Sequence, residues 1–201
     1  MKMKLTALQW AGIVVLILFT VFITWKAKML EKGLREGNDA ATLVNKQAAD
    51  FALPALDGST VSLAEFKGKK KVIVSFWASW CGPCRMELPA LAKFYRKYHK
   101  DSPDFEILAI SVDDDRAAAE SFAHSAELPF PVLLDTSGKA QHAYSVDAIP
   151  SLFIIDSNGK IIYGKTGLDE GMEVQLAIHL GIDLRLATPV KPDSENDDSG
   201  N

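Results

Sequence analysis

Lys71-Val72-Ile73-Val74-Ser75-Phe76-Trp77-Ala78-Ser79-Trp80-Cys81-Gly82-Pro83-Cys84 is the stretch on which the reading of this chain turns. Its first half is a nearly unbroken β-branched and aromatic run, without polar alternation. Such a run fits a strand buried on both faces. Beyond Cys84 the apolar residues Leu88, Leu91, Ala92 and Tyr95 recur at helical spacing as far as about His99. Cys81 and Cys84 therefore stand where a buried strand passes into a helix. The first turn of a helix has unpaired N–H groups and partial positive charge. A thiolate there is stabilised, and its pKa falls below the roughly 8.5 of free cysteine. Cys81 is expected to be the exposed nucleophile, and Cys84, one turn inside, the more buried sulfur. Pro83 suits a first turn, where a missing N–H is harmless. Gly82 lets a partner's backbone come close.

The chain has 201 residues and these two cysteines alone. A bridge over two intervening residues constrains the unfolded chain little, so the pair points to redox chemistry or metal binding rather than to a structural staple. A zinc site of this type needs two further ligands, and His99, His124, His142 and His179 show no paired spacing. No metal and no cofactor is expected. In the redox reading the Cys81 thiolate attacks a substrate disulfide, and Cys84 then resolves the mixed disulfide and leaves a Cys81–Cys84 bridge.

Outward from this centre, strands and helices alternate. Phe51 to Leu53 and Thr60 to Ser62 are short extended segments around a turn at Asp57-Gly58. Phe105 to Val112 is a second buried strand. The acidic run Asp113, Asp114 and Asp115 reads as a solvated loop that favours the positive end of a helix over Arg116 to Ser125. Val132 to Leu134 is a strand and Gly138 to Tyr144 a short helix. Ser151 to Ile155 and Lys160 to Thr166 form a hairpin, and Asp169 to Leu180 is a last helix closed by Gly181. The fold class is α/β, a mixed sheet with helices on both faces. A formal net charge of -4 and the lack of a basic block exclude a nucleic-acid footprint.

The ends differ in kind. Leu5 to Trp25 is uncharged and apolar but for Thr6, Gln9, Thr20 and Thr24, and is long enough to span the roughly 30 Å hydrocarbon core of a bilayer. Trp10 and Trp25 are amphipathic, and Trp25 with Lys26 and Lys28 suits an interfacial anchor. Residues 1–28 are expected to be a single transmembrane anchor rather than a cleaved signal, whose apolar region is shorter and ends in small residues. Residues 29–47 read as a polar tether, 48–184 as the folded domain, and 185–201 as a disordered acidic tail. Lys26, Lys28, Lys32 and Arg35 outnumber Lys2 and Lys4, which by the positive-inside rule leans toward a cytoplasmic domain. Redox chemistry argues the other way.

The segment Phe76 to Arg85 resembles the active-site segment of the thioredoxin superfamily, and Pro89 matches its helix-kinking proline. Ala49-Asp50-Phe51 through Leu63-Ala64-Glu65-Phe66-Lys67-Gly68 resembles the TlpA/ResA branch, membrane-tethered extracytoplasmic thiol reductases. The similarity covers about residues 45 to 182. It implies a thioredoxin-like fold with an amino-terminal β-hairpin extension. It also implies that Ile149-Pro150 is the family's cis-proline loop, facing the cysteine pair and offering backbone groups to an extended substrate. Ser151 departs from the family's usual threonine. Glu87, on the helical face of Cys84, matches a glutamate implicated in that branch's active site, and we assign it the proton of Cys84. Ordinary thioredoxins use an aspartate on the preceding strand, where this chain has Ser75, which cannot supply a carboxylate. The alternative for Glu87 is a solvated surface charge. Trp80 is expected to be an exposed cover beside Cys81, Trp77 core, and Arg85 a modest aid to the thiolate or a surface residue.

The resemblance further implies reduction of protein disulfides outside the bacterial cytoplasmic membrane. The commonest client in the branch is apocytochrome c, and a membrane thiol reductase supplies the electrons. A tethered reductase has little use in the cytosol, where thiols are already kept reduced. Two rivals remain. A peroxiredoxin-like thiol peroxidase needs Pro-x-x-x-Thr/Ser-x-x-Cys, but Val74 and Ala78 occupy those positions. A copper-delivery module of this fold uses CxxxC with a distal histidine, and this spacing is CxxC.

Overall fold

The computed structural model describes residues 10, 13, 16–27 and 40–184. The chain divides into two compact units, Met1–Gly37 and Asn38–Asn201. In the first, 16–27 is helical (α1). Among the described residues no helix is long and apolar enough to cross a membrane. The anchor expected over 1–28 lies only partly within them, and residues 29–39 of the expected tether and the tail 185–201 lie outside them.

The second unit is built on a five-stranded sheet. Its strands are β3 (Lys71–Trp77), β4 (Phe105–Ser111), β5 (Val132–Leu134), β6 (Ser151–Ile155) and β7 (Ile161–Thr166), in the order β5-β4-β3-β6-β7. β3, β4 and β5 run parallel, and β6 and β7 are antiparallel to their neighbours. A separate antiparallel hairpin, β1 (Ala52–Pro54) with β2 (Thr60–Ser62), is the amino-terminal extension. The helices are α2 (Cys84–Tyr98), α3 (Arg116–Ser125), α4 (Lys139–Ala143) and α5 (Met172–Leu180). This is the mixed α/β, thioredoxin-like arrangement that the sequence implied, with boundaries within three residues.

β3 is the central strand, and its alternation sorts the two cores. Ile73 and Trp77 face one apolar layer with Leu88, Leu91 and Phe122 from α2 and α3. Val72, Val74 and Phe76 face the other, with Phe51, Tyr144 and Phe153. Ser75 shares the parity of Ile73 and Trp77, so it points toward the α2 layer. That one polar position in an otherwise apolar strand matters below.

The boundary of the folded domain requires a correction. Residues 40–47, read as the end of a tether, are docked on the sheet. Ala40–Leu43 forms a 3-10 turn with Ala40 buried. The Asn45 N–H donates to the Ile161 carbonyl (2.8 Å), and Gln47 bridges to Lys160. A Cβ at Gly164 of β7 would run into the Ala40 carbonyl, so the glycine is what admits this close approach.

Candidate active site

Cys81 and Cys84 are joined by a disulfide, with Cα atoms 5.3 Å apart. Cys84 is the first residue of α2 and Pro83 its N-cap. The junction thus does what the spacing demanded: the Cys84 N–H, free of any helical acceptor, points at Cys81 Sγ (3.2 Å). Once the bridge is reduced, that donor and the helix dipole both favour negative charge on Cys81.

The accessibilities partly correct the expectation. Cys81 is only 5% exposed, while Cys84 has no exposure. The order holds, but the first sulfur is not open, because it is tied to Cys84 and the Ile149 carbonyl oxygen lies 3.8 Å from it. That carbonyl belongs to a cis Ile149–Pro150 peptide, as the resemblance implied. The loop is held from behind, where the Gly167 N–H donates to the Pro150 carbonyl (2.8 Å). Trp80 is 72% exposed and rims the pair, whereas Trp77 is fully buried. Trp77 packs on Phe122, and among the described residues its indole Nε1 has no hydrogen-bond partner. Gly82 and Pro83 are exposed. A Cβ at Gly82 would touch nothing among the described residues, so their packing does not require the glycine.

The turn before Cys81 is clamped by a residue the sequence reading had placed in solvent. Asp113, first of the acidic run, is buried. Its carboxylate accepts from the Ser79 N–H (2.9 Å), the Ser79 hydroxyl (2.7 Å) and the Ser111 hydroxyl (2.8 Å). A buried carboxylate is tolerated only when so satisfied. Asp115 at the end of the run does act as expected, capping α3 through the Ala117 N–H. Arg85 donates to the Ser79 carbonyl and lies over the Phe122 ring, 5.1 Å from its centroid.

Glu87 is not a solvated surface charge. It is 2% exposed, on the face of α2 that also buries Cys84, Leu88 and Leu91. The Ser75 hydroxyl donates to its Oε1 (2.8 Å). Burial pushes the carboxyl up to about 7, against the downward pull of the Ser75 hydrogen bond, and the negative charge of Asp169 adds to the rise. Asp169 itself accepts from the Tyr163 hydroxyl (2.7 Å). The chain thus sets one helical turn beyond Cys84 a buried carboxyl whose change of charge is pushed up toward neutral pH. Ser75, Asp113 and Asp169 were all missed as parts of this site. Strand parity alone could have flagged Ser75. Asp169 carries no local signal.

Residues 44–164 match the model of the AhpC/TSA family. The chain belongs to that family. Among curated members, thiol-disulfide oxidoreductase ResA of Bacillus thuringiensis is 36% identical over 119 residues, 59% of this chain and 67% of that protein. The thioredoxin-like protein YneN of Bacillus subtilis is 32% identical over 157 residues, 76% of this chain and 86% of that one. A crystal structure from Chlorobium tepidum, titled as a candidate thiol:disulfide interchange protein DsbE, superimposes with a TM-score of 0.63 at 33% identity. It covers 69% of this chain and 98% of its own. For this AhpC/TSA member the relatives' names and the bridged CxxC point to the same chemistry.

Proposed function

We propose that the protein is a membrane-tethered thiol–disulfide oxidoreductase that reduces disulfides of extracytoplasmic proteins. The activity class rests on the family and on the redox pair. The observation that carries the mechanism is the Cys84 N–H aimed at Cys81 Sγ, with the Ile149 carbonyl oxygen 3.8 Å from the same sulfur.

In the reduced protein the Cys81 thiolate attacks one sulfur of a client disulfide, and the other client sulfur leaves as a thiolate that takes a proton from solvent. The client's extended segment lies along the cis-proline loop, over Gly82 and Pro83 and against Trp80. Glu87 in its carboxylate form accepts the Cys84 proton. The Cys84 thiolate then attacks Cys81 Sγ, and the second client sulfur departs and is protonated. Two electrons pass from the dithiol to the client, and the Cys81–Cys84 bridge is left behind. A membrane thiol reductase then donates two electrons to reopen it.

The location is supported by the uncharged run Leu5 to Trp25 and by the need for local reduction where disulfides persist. Apocytochrome c is the client class we favour, on the resemblance to the ResA branch. The thiol-peroxidase alternative loses its footing because position 78, where that chemistry wants a hydroxyl, is a buried alanine. The copper-delivery alternative has no CxxxC pair to stand on.

The test is insulin-disulfide reduction by the full-length chain with a dithiol donor, together with thiol labelling of intact cells by a membrane-impermeant reagent. Turnover that vanishes in Cys81→Ser, and labelling of the reduced pair from outside, are the expected results. Turnover that survives Cys81→Ser would reject the mechanism, and labelling only after lysis would reject the location.

A further inference from the structure

Ser75 breaks the apolar run of β3, yet it is completely buried. Its register partners are Ala109 on β4 and Leu152 on β6, neither of which brings a polar side chain. A lone hydroxyl in such a place is unfavourable unless something uses it. Strand parity aims it at the α2 layer, where the buried face of the helix carries one carboxyl among apolar side chains, Glu87. The two meet across 12 positions of sequence at 2.8 Å. Among the described residues no other hydrogen bond reaches the Glu87 carboxyl. The charged or titratable groups around it are Cys84, one turn earlier on α2, and Asp169, in the loop before α5.

We propose that Ser75 is a positioning residue of the redox centre, holding the Glu87 carboxyl in place and sustaining its charged form while it exchanges a proton with Cys84. This rests on the reading of Glu87 given above and extends it to the strand beneath. A hydroxyl that donates to Oε1 favours carboxylate over acid, so it opposes the upward push of burial and of Asp169. Without it the acid form persists to higher pH, and Cys84 loses its proton acceptor under conditions where the reaction should run. The serine on β3 thus supports the helix carboxyl that stands in for a strand carboxylate.

The experiment uses the full-length chain in the Cys81→Ser background, where Cys84 is the sole thiol. Two midpoints are read against pH: Glu87 by carboxyl 13C NMR, and Cys84 by its iodoacetamide alkylation rate. Ser75→Ala should raise the Glu87 midpoint by about one pH unit, the size expected for losing a hydrogen bond to a charged group, and should lower the Cys84 midpoint, because a carboxyl that stays neutral no longer repels the thiolate. Ser75→Thr, which keeps the hydroxyl, should restore both. In a Glu87→Gln background Ser75→Ala should leave the Cys84 midpoint where Glu87→Gln alone put it. A Glu87 midpoint unmoved in Ser75→Ala, with the effect of Glu87→Gln on Cys84 intact, overturns this inference alone. A Cys84 profile untouched by Glu87→Gln overturns the role of Glu87, and this inference with it.

Discussion

The two sulfurs of one bridge occupy opposite surroundings. The mouth, around Cys81, is made of main chain and an exposed ring: the Cys84 N–H, the Ile149 carbonyl and Trp80. The floor, under Cys84, is made of buried side chains: Glu87, and Ser75 beneath it. Main-chain groups at the mouth hold no proton to exchange near neutral pH, and they suit attack on many different clients. The carboxyl at the floor does exchange a proton, and it is walled off from solvent. In the proposed mechanism this asymmetry gives recognition and first attack to one side and resolution to the other.

Glu87→Gln should break the floor and spare the mouth, with the largest effect. Removing a general base near its target lowers the rate of the assisted step by about 100-fold. That loss should appear in single-turnover resolution of a mixed disulfide at pH 7, while formation of the mixed disulfide keeps its rate. The same variant changes stability with a definite sign. The folded carboxyl titrates near 7 against an ordinary 4.5, so the folded state binds the extra proton. The native protein is therefore most stable below the unfolded value, and it loses stability as pH rises through 4.5 to 7, by about 3 kcal/mol in all. Urea unfolding should show Glu87→Gln gaining stability over the native chain at pH 8 and gaining nothing at pH 4.

Gly164→Ala touches neither side of the bridge and serves as the contrast. It should displace residues 40–47 from β7 and cost about 2 kcal/mol in urea unfolding, with rates at both cysteines unchanged. Slowed resolution in this variant would mean that the docked segment communicates with the floor. Trp80→Ala should have the smallest effect, confined to the mouth. We expect a KM for a protein disulfide raised by about fivefold, in line with loss of an exposed aromatic contact, and an unaltered resolution rate.

The mouth was largely legible in the sequence because it is local. A buried strand, two cysteines and the start of a helix lie within 14 consecutive residues, and the N–H on Cys81 follows from that order alone. The cis bond at Pro150 came from resemblance, since no periodicity distinguishes it. The floor is non-local. Ser75 and Glu87 become partners only when α2 lies back on β3, and Asp113 closes on Ser79 across 34 positions. Asp113 misled because a run of three acids looks solvated, although the first lies only two residues past the end of β4 and is buried. Residues 40–47 misled by their neighbours: they follow the polar stretch Glu31 to Asp39, although Ala40, Ala41, Leu43 and Val44 are apolar, and only Gly164, more than 100 positions on, makes room for them.

The division of labour between the two sulfurs is tested most directly by trapping. Full-length Cys84→Ser and Cys81→Ser are each reduced and exposed to the same protein disulfide, and the covalent adduct is quantified at pH 7. The account predicts a stable mixed disulfide on Cys81 in the first variant and little or none on Cys84 in the second. Equal trapping by the two, or preferential trapping by Cys84, would contradict it.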